Sequence, residues 1–397
     1  MLKSAKDNAA AAVDEAQLEH FALCRESIEA NYENVVLLLQ GGGALGAYQA
    51  GVYEMLAEAA VDIDWVAGIS IGAINCALIA GNPPGERIAR LRGFWERVSS
   101  GVQWPFIPPG DDARAYFNQM ASLAALTTGA PGFFQPRFPP PQWQPPGSAA
   151  AVSYYDTAPL RATLEEFVDF DLLNRGPVRL SVGAVNVRSG NFIYFDTEER
   201  RIGPEHIMAS GALPPGFPPV EIDGELYWDG GLVSNTPLRH VFENMPKGDL
   251  LIFQVDLFSA RGPRPKTLQD ANEREKDIRY SSRTRLNTNL FTTLQTIRRN
   301  VGGLIDKLGE DLLGLDEVKW LDDFRRRGRW NIVHLIYRRK LYDQAFKDYE
   351  FSRNTMQDHW DAGYAIMRRT LRHETWFEPP DPQKGFTVHD ADSEAED

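Results

Sequence analysis

The chain contains very little cysteine and no long apolar run. Cys24 and Cys76 are its only cysteines, too few for a disulfide framework or a cysteine-rich metal site, so a reducing compartment is expected. No stretch approaches the roughly twenty apolar residues that a membrane span needs. The first residues lack a basic start followed by an apolar core, so no secretory signal is predicted. We therefore expect a cytoplasmic location, with peripheral contact at the inner face of the membrane as an open alternative.

Net positive charge is also missing. The formal net charge is −13, which argues against nucleic acid as a partner. No cluster of metal-ligating side chains stands out in the sequence, so neither a metal ion nor an organic cofactor is expected.

The remaining composition describes a globular α/β chain. Hydrophobic residues make up 43% of it, enough for a large core in one big domain with an appendage, or in two domains. Alternating strand and helix signals predict a mostly parallel sheet with helices on its faces. We expect a helical segment at residues 1–32, an α/β domain at 33–257 with an insertion at 104–146, a helix-rich extension at 258–377 and a disordered acidic tail at 378–397.

A serine lies at a sharp turn between a strand and a helix. An apolar run leads into Gly68-Ile69-Ser70-Ile71-Gly72, and a helical pattern leaves it. The flanking glycines leave room for a strained turn that exposes the Ser70 hydroxyl, and the new helix directs its unpaired amides toward any oxyanion formed there. The motif predicts a nucleophilic Ser70. The alternative is a turn serine that only caps its helix.

A glycine-rich loop follows the preceding strand. Val35–Leu39 is a buried strand pattern, and it ends in a loop that contains Gly41, Gly42, Gly43 and Gly46. Glycines allow a tight turn that leaves amide hydrogens pointing outward, so such a loop can receive an anion. That anion is either the phosphate of a nucleotide or an oxyanion formed during catalysis.

The nucleotide interpretation fits the spacing poorly. A dinucleotide fold needs an acidic residue about twenty positions beyond the loop, at the end of the next strand. Asp62 and Asp64 lie near that distance, but they precede the second strand, and the serine turn occupies its end. The loop is therefore interpreted as an oxyanion hole.

A carboxylate is placed in a third glycine-containing turn. Asp229-Gly230-Gly231 follows a short aromatic strand that contains Tyr227 and Trp228. This pattern is typical of a carboxylate held at a turn in a cleft. Taken alone, it also fits an Asx-turn, in which Asp229 bonds to its own backbone.

Together, the three elements resemble the patatin-like phospholipase family. That family has a glycine-rich oxyanion loop, a serine turn about thirty residues later and a downstream Asp-Gly-Gly motif. Here these are Gly41–Gly46, Gly68–Gly72 and Asp229–Gly231, and the block Ala209–Val220 is similar to the family's segment before the aspartate. The resemblance covers about residues 33–257, whereas the residues after 258 look like the extension found in a bacterial subgroup.

The resemblance implies a three-layer α/β/α fold and a catalytic dyad. It implies that Ser70 is the nucleophile and that Asp229 takes its proton directly, without a histidine. Amides of Gly42 and Gly43, with Gly41 and Ile71, would bind the oxyanion. The carboxylate of an ordinary aspartate is a weak base at neutral pH, so we expect burial to raise the pKa of Asp229. The expected reaction is hydrolysis of a lipid ester through an acyl-enzyme.

Two alternatives stay open. A Ser-Asp-His triad would use His240 or His334, and such an enzyme would act on short polyester or thioester substrates. A protein without turnover that binds lipids or nucleotides is the second, and Leu45 favours it. Family members often have a cation at that position, which would support the oxyanion.

The insertion at 104–146 and the basic residues after it each have two interpretations. Prolines alternate in the insertion with aromatic residues that include Phe138 and Trp143, which predicts no regular helix or sheet. A long aromatic loop is typical of a lid or a membrane contact, and the alternative is a fixed cover. Basic residues between Arg274 and Lys340 form either solvated ion pairs or a surface for anionic lipid.

Overall fold

The computed structural model describes most of the chain. It covers residues 20–102, 110–244, 248–282, 284–308, 314–325, 328–340, 342, 346–381 and 385–391. Part of the predicted amino-terminal segment, residues 1–19, lies outside the described residues, as do Trp104 and Phe106 of the insertion.

A nine-stranded sheet forms the centre of the protein. Its strands are β1 (Asn34–Leu39), β2 (Trp65–Ile69), β5 (Arg179–Asn186), β6 (Phe192–Asp196), β7 (Val220–Ile222), β8 (Glu225–Asp229), β9 (Leu250–Asp256), β10 (Trp330–Ile336) and β11 (Phe386–Asp390), while β3 (Gln135–Pro136) and β4 (Tyr155–Asp156) form a separate pair. The strand order is β11-β10-β9-β1-β2-β5-β8-β7, and β6 also pairs with β5. All pairings from β11 to β5 in this order are parallel, whereas the pairings of β5 with β6, of β5 with β8 and of β8 with β7 are antiparallel. The sheet is therefore mostly parallel, as predicted.

Helices cover both faces of this sheet. They are α1 (20–31), α2 (Gly46–Glu58), α3 (Ile71–Ala80), α4 (Arg87–Val98), α5 (Asp111–Thr128), α6 (Ala158–Phe167), α7 (Phe170–Arg175), α8 (Pro204–Ser210), α9 (Leu238–Glu243), α10 (Leu268–Tyr280), α11 (Thr284–Ile305), α12 (Asp316–Arg325) and α13 (Arg353–Thr370).

Side-chain alternation along the strands explains the three layers. Leu37 and Leu39 of β1 point to one face and join the larger core with α2, α3 and α13, whereas Val36 and Leu38 point to the other face and pack with α9. Successive strand side chains point to opposite faces, so a strand that is apolar throughout must be buried on both. The predicted three-layer α/β/α fold is confirmed.

The carboxyl-terminal region completes the sheet as well as adding helices. Strand β10 pairs in parallel with β9, and β11 pairs in parallel with β10. The expectation of a disordered tail at 378–397 is thus wrong for Phe386–Asp390. An acidic, polar composition suggested disorder, but these five residues pair with β10 and gain backbone hydrogen bonds along one side of the strand.

The insertion at 104–146 also differs from its prediction. Its first half contains α5, an 18-residue helix. Prolines occur before and after this helix, but none lies between Gly110 and Ala130. Proline disrupts a helix only where it falls within it, so the overall proline content of the segment was misleading.

Candidate active site

Ser70 occupies a strained turn at the carboxyl end of β2. Its backbone has φ 55° and ψ −122°, a region that residues with a side chain rarely adopt. The Ser70 amide donates a hydrogen bond to Ser210 Oγ at 3.0 Å, and Ser210 Oγ donates to the Gly183 carbonyl at 2.7 Å. These hydrogen bonds connect the turn to the neighbouring strand β5. Sequence reasoning noticed the block around Ser210 but gave this serine no role.

Two strands that meet end to end bring Asp229 to Ser70. Ile69, the last residue of β2, pairs with Gly183 of β5, and Asp229, the last residue of β8, pairs with Ala184. Strand β6 pairs with β5 across both of these positions. Each strand has only two edges, so β2 and β8 must share the other one. Ser70 and Asp229 are consequently neighbours.

The carboxylate of Asp229 is buried and hydrogen-bonded. It accepts a hydrogen bond from the Gly231 amide at 2.7 Å, and Ser70 lines the same cavity beside it. Burial raises the pKa of Asp229 to about 7, and the neighbouring Ser70 hydroxyl and the Gly231 amide oppose the rise. A carboxyl group with this pKa can accept a proton near neutral pH.

The glycine-rich loop presents amides beside Ser70. Among the described residues, none accepts a hydrogen bond from the amides of Gly42, Gly43 or Ile71. Gly41 differs from its prediction, because its amide donates to the Asn235 carbonyl at 3.4 Å. The available donors are therefore Gly42, Gly43 and Ile71.

Close packing explains two of the glycines in these motifs. Gly43 has φ +56°, and a methyl group there would lie 2.0 Å from the carbonyl oxygen of Asp348. A methyl group at Gly72 would lie 2.2 Å from the carbonyl oxygen of Leu39. The other predicted motif glycines also make close contacts in the same region; they are Gly46, Gly68, Gly230 and Gly231.

Two buried amide side chains hold the glycine-rich loop in place. Gln40 accepts from the amides of Leu257 and Phe258 and donates to the Tyr280 carbonyl. Asn235 donates to the carbonyls of Gly41 and Tyr280, both at 3.0 Å. The loop is thus fixed to α10, which lies more than two hundred residues away in the sequence. The sequence offered no signal for these positioning contacts.

An apolar cavity of about 330 Å³ surrounds Ser70 and Asp229. One wall is aromatic, with Phe134 within 4.9 Å of Tyr155 and 5.3 Å of Phe217, measured between ring centroids. Phe133 and Phe351 continue this wall, their ring centroids 5.7 Å apart. The wall combines residues of the insertion with one from the carboxyl-terminal region. Such a surface suits a long hydrocarbon chain.

The carboxyl-terminal region closes another side of the cavity. Lys276, Tyr280 and Asp348 line it, and Lys276 Nζ lies 2.5 Å from Asp348 Oδ1. Deeper in the same region, buried Lys347 pairs with Asp277 at 2.7 Å. These ion pairs join α10 to the segment beside Gly43.

None of the described residues that line the cavity is a histidine. His240 packs against Trp65 at the amino end of β2 and lies 3.3 Å from Asp196, whereas Ser70 follows the carboxyl end of that strand. His334 bonds to Asp256 at 2.6 Å, on β10, which β9 and β1 separate from β2. Both histidines therefore belong to buried networks away from Ser70.

Asp64, one of the two acidic residues considered for nucleotide binding, lies at the opposite end of β1 from the glycine-rich loop. Asp64 accepts a hydrogen bond from the Val35 amide at 2.7 Å, at the amino end of β1. The glycine-rich loop follows the carboxyl end of the same strand. Leu45, which favoured a binder without turnover, is fully buried in the core.

Many of the basic residues after the insertion lie in ion pairs. Arg339 contacts Glu273 at 2.9 Å, and Arg329 pairs with Asp249. Arg283, Arg326 and Arg327 lie outside the described residues. Within the described ranges, no three His, Cys, Asp or Glu side chains form a group that could hold a metal ion. Across the same ranges, the helices are too short or too polar to cross a bilayer.

Two protein-family models match the chain. A model described as patatin-like phospholipase matches residues 37–242, and one described as patatin phospholipase matches residues 278–383. The chain is 26% identical over 243 residues to lysophospholipase NTE1 of Candida glabrata, covering 59% of this chain and 11% of that protein. It is 25% identical over 203 residues to human patatin-like phospholipase domain-containing protein 6, covering 51% and 12%.

These alignments leave most of the relatives' length unmatched. The chain covers only 11% of the first relative and 12% of the second. Among solved structures, VipD from Legionella pneumophila aligns with a TM-score of 0.33 and 14% identity, over 83% of this chain and 67% of that one.

Proposed function

Because the chain belongs to the patatin-like phospholipase family, whose model matches residues 37–242, we propose that it hydrolyses carboxylic esters of lipids with Ser70 and Asp229. The observation that carries this proposal is the position of the buried Asp229 carboxylate beside Ser70, with both residues lining one apolar cavity. A nucleophile with a base beside it is the minimum that acyl transfer requires.

The first half of the reaction forms an acyl-enzyme. Ser70 Oγ attacks the ester carbonyl carbon as its proton passes to Asp229. The amides of Gly42, Gly43 and Ile71 stabilise the negative charge on the carbonyl oxygen. The bond to the leaving alcohol then breaks, and Asp229 returns the proton to the departing oxygen.

Water completes the cycle. It attacks the acyl carbon while Asp229 accepts a proton, and the fatty acid leaves as the proton returns to Ser70 Oγ. The chain's own groups account for every proton in this scheme, so a histidine has no required role.

The substrate is proposed to be a phospholipid or lysophospholipid. The aromatic wall of Phe133, Phe134, Tyr155, Phe217 and Phe351 offers the acyl chain an apolar contact surface. One relative is named a lysophospholipase, which favours this class over short polyesters and thioesters.

A fluorophosphonate probe and a panel of lipid esters test the proposal. Labelling should map to Ser70 and disappear in Ser70→Ala, and Asp229→Asn should lower turnover by about 10² or more. The matched control is Asp223→Asn, an exposed turn residue, which should retain wild-type activity. A folded Asp229→Asn protein with full turnover would refute the dyad, and loss of turnover in folded His240→Ala would restore the triad.

A further inference from the structure

One stretch of the surface is almost without charge. Between Asp112 and Asp156 the only charged side chains are Arg114 and Arg137, although 24% of the whole chain is charged. Arg114 pairs with Asp358 at 2.7 Å, and Arg137 donates a hydrogen bond to Ser153 at 2.9 Å. Exposed segments normally carry charged residues, so this depletion requires an explanation.

Helix α5 exposes an apolar stripe within this stretch. Tyr116, Met120, Leu123 and Leu126 are spaced three or four residues apart and therefore share one side of the helix. All four are exposed, Tyr116 by 66% and Leu123 by 51%. The opposite side of α5 is buried, so this is an amphipathic helix whose outer surface is apolar as well.

The loop after α5 adds two large aromatic side chains. Phe138 is 92% exposed and Trp143 is 77% exposed. Together with the four exposed residues of α5, they are called the apolar face below. Exposed aromatic residues of this kind are typical of proteins that insert side chains at a membrane interface.

The apolar face leads directly into the cavity. Leu126 belongs to both, since it also lines the space around Ser70. The hydroxyl of Tyr155 donates to the Leu126 carbonyl at 2.8 Å, and the Tyr155 ring packs against Phe134 in the cavity wall. An acyl chain could therefore pass from the outer surface to Ser70 along apolar contacts.

We propose that the apolar face docks on the surface of a phospholipid bilayer by inserting its side chains, without net electrostatic attraction. This proposal rests on the proposed function, because lipid substrates reside in bilayers. A surface without charge avoids the desolvation cost that buried ions would incur in the lipid interface. Docking there brings the cavity mouth to the lipid and spares an acyl chain from crossing water.

Co-sedimentation with phosphatidylcholine vesicles tests the docking. The variants are Leu123→Glu and Trp143→Ala, each in the full chain. The controls are Leu304→Glu, which changes a leucine that is 64% exposed on α11, and Trp320→Ala, which changes a tryptophan that is 68% exposed on α12. All measurements are repeated in a Ser70→Ala background, so that binding is scored without turnover.

We expect Leu123→Glu to weaken vesicle partitioning by about tenfold, from lost apolar insertion and an added charge. Trp143→Ala should weaken it in the same direction, the two controls should match wild type, and raising the salt concentration should not release the protein. Equal partitioning of Leu123→Glu and Leu304→Glu would overturn the proposal.

Two other outcomes would also overturn it. Binding only to anionic vesicles, with release by salt, would assign docking to basic residues. Dimerisation in sedimentation velocity that Leu123→Glu abolishes, without vesicle binding by wild type, would show that a second copy of the chain covers the face. Failure of lipid hydrolysis with normal vesicle binding would count against the proposed reaction alone.

Discussion

Asp229→Asn should remove activity and should make the free energy of unfolding less dependent on pH than it is in wild type. Burial raises the pKa of Asp229 from 3.8 to about 7, so the folded protein holds this proton more tightly than the unfolded chain does. Between about pH 4 and pH 7 the native state therefore binds more protons, and the free energy of unfolding falls as pH rises. Asparagine does not titrate at this position, so the free energy of unfolding of the variant does not fall with pH for this reason.

The size of the effect follows from the shift. A pKa difference of about three units, at about 1.36 kcal/mol per unit, corresponds to about 4 kcal/mol. Near pH 4 the aspartic acid is neutral in both states, and wild type and variant should differ only by a fixed offset. Above pH 7 the variant should gain up to about 4 kcal/mol relative to that offset.

Urea unfolding at a series of pH values measures this difference. Asp223→Asn serves as the surface control, and circular dichroism gives the unfolded fraction for each protein. In parallel, the kcat/KM of wild type for a soluble ester should fall about tenfold per pH unit below about pH 7, because the base becomes protonated. A stability difference that stays constant with pH, or a kinetic midpoint near pH 4, would refute the raised pKa of Asp229.

Two further substitutions test the architecture of the site. Gly43→Ala places a methyl group 2.0 Å from the Asp348 carbonyl oxygen, whereas the control position Gly190 has φ +70° and open space around it. In thermal or urea denaturation, Gly43→Ala should therefore lower the free energy of unfolding by about 1–3 kcal/mol more than Gly190→Ala does. Phe134→Ala removes a buried ring of the cavity wall, and we expect a loss of about 3–5 kcal/mol in stability and a KM that rises more for long-chain than for short-chain esters. The same change at exposed Phe138 should leave stability within about 0.5 kcal/mol of wild type, and equal losses at the two phenylalanines would contradict the buried placement of Phe134.

Local patterns predicted many of the elements accurately. The strand predicted over Val35–Leu39 lies at Asn34–Leu39, and the turn predicted at Ser70 lies between a strand that ends at Ile69 and a helix that begins at Ile71. Apolar spacing within a short window determines such elements, because each must bury its own apolar surface. Where composition was averaged over a long window, as in the insertion, the expectation failed.

The chemical identity of the candidate site was also present in the sequence, because the glycines and the serine act within short turns. Ser70, Asp229 and the glycine-rich loop could be named from their immediate neighbours. The side of the cavity formed by the carboxyl-terminal region could not be predicted, since Tyr280 and Asp348 belong to no local motif and line the cavity only through long-range packing. Asn235 could not be predicted for the same reason, since its carbonyl accepts a hydrogen bond from the Gly41 amide across a long separation in sequence.

The sequence by itself determined the candidate reactive groups, the turns that hold them and the alternation that buries the sheet on both faces. Only the tertiary structure decided that β2 and β8 meet along one edge of β5, which brings together a hydroxyl and a carboxylate that are far apart in the chain. It also decided the pKa of that carboxylate, because burial depends on every segment packed around Asp229. Local patterns express what each residue can do, whereas register and packing between distant segments set where and in which environment it does so.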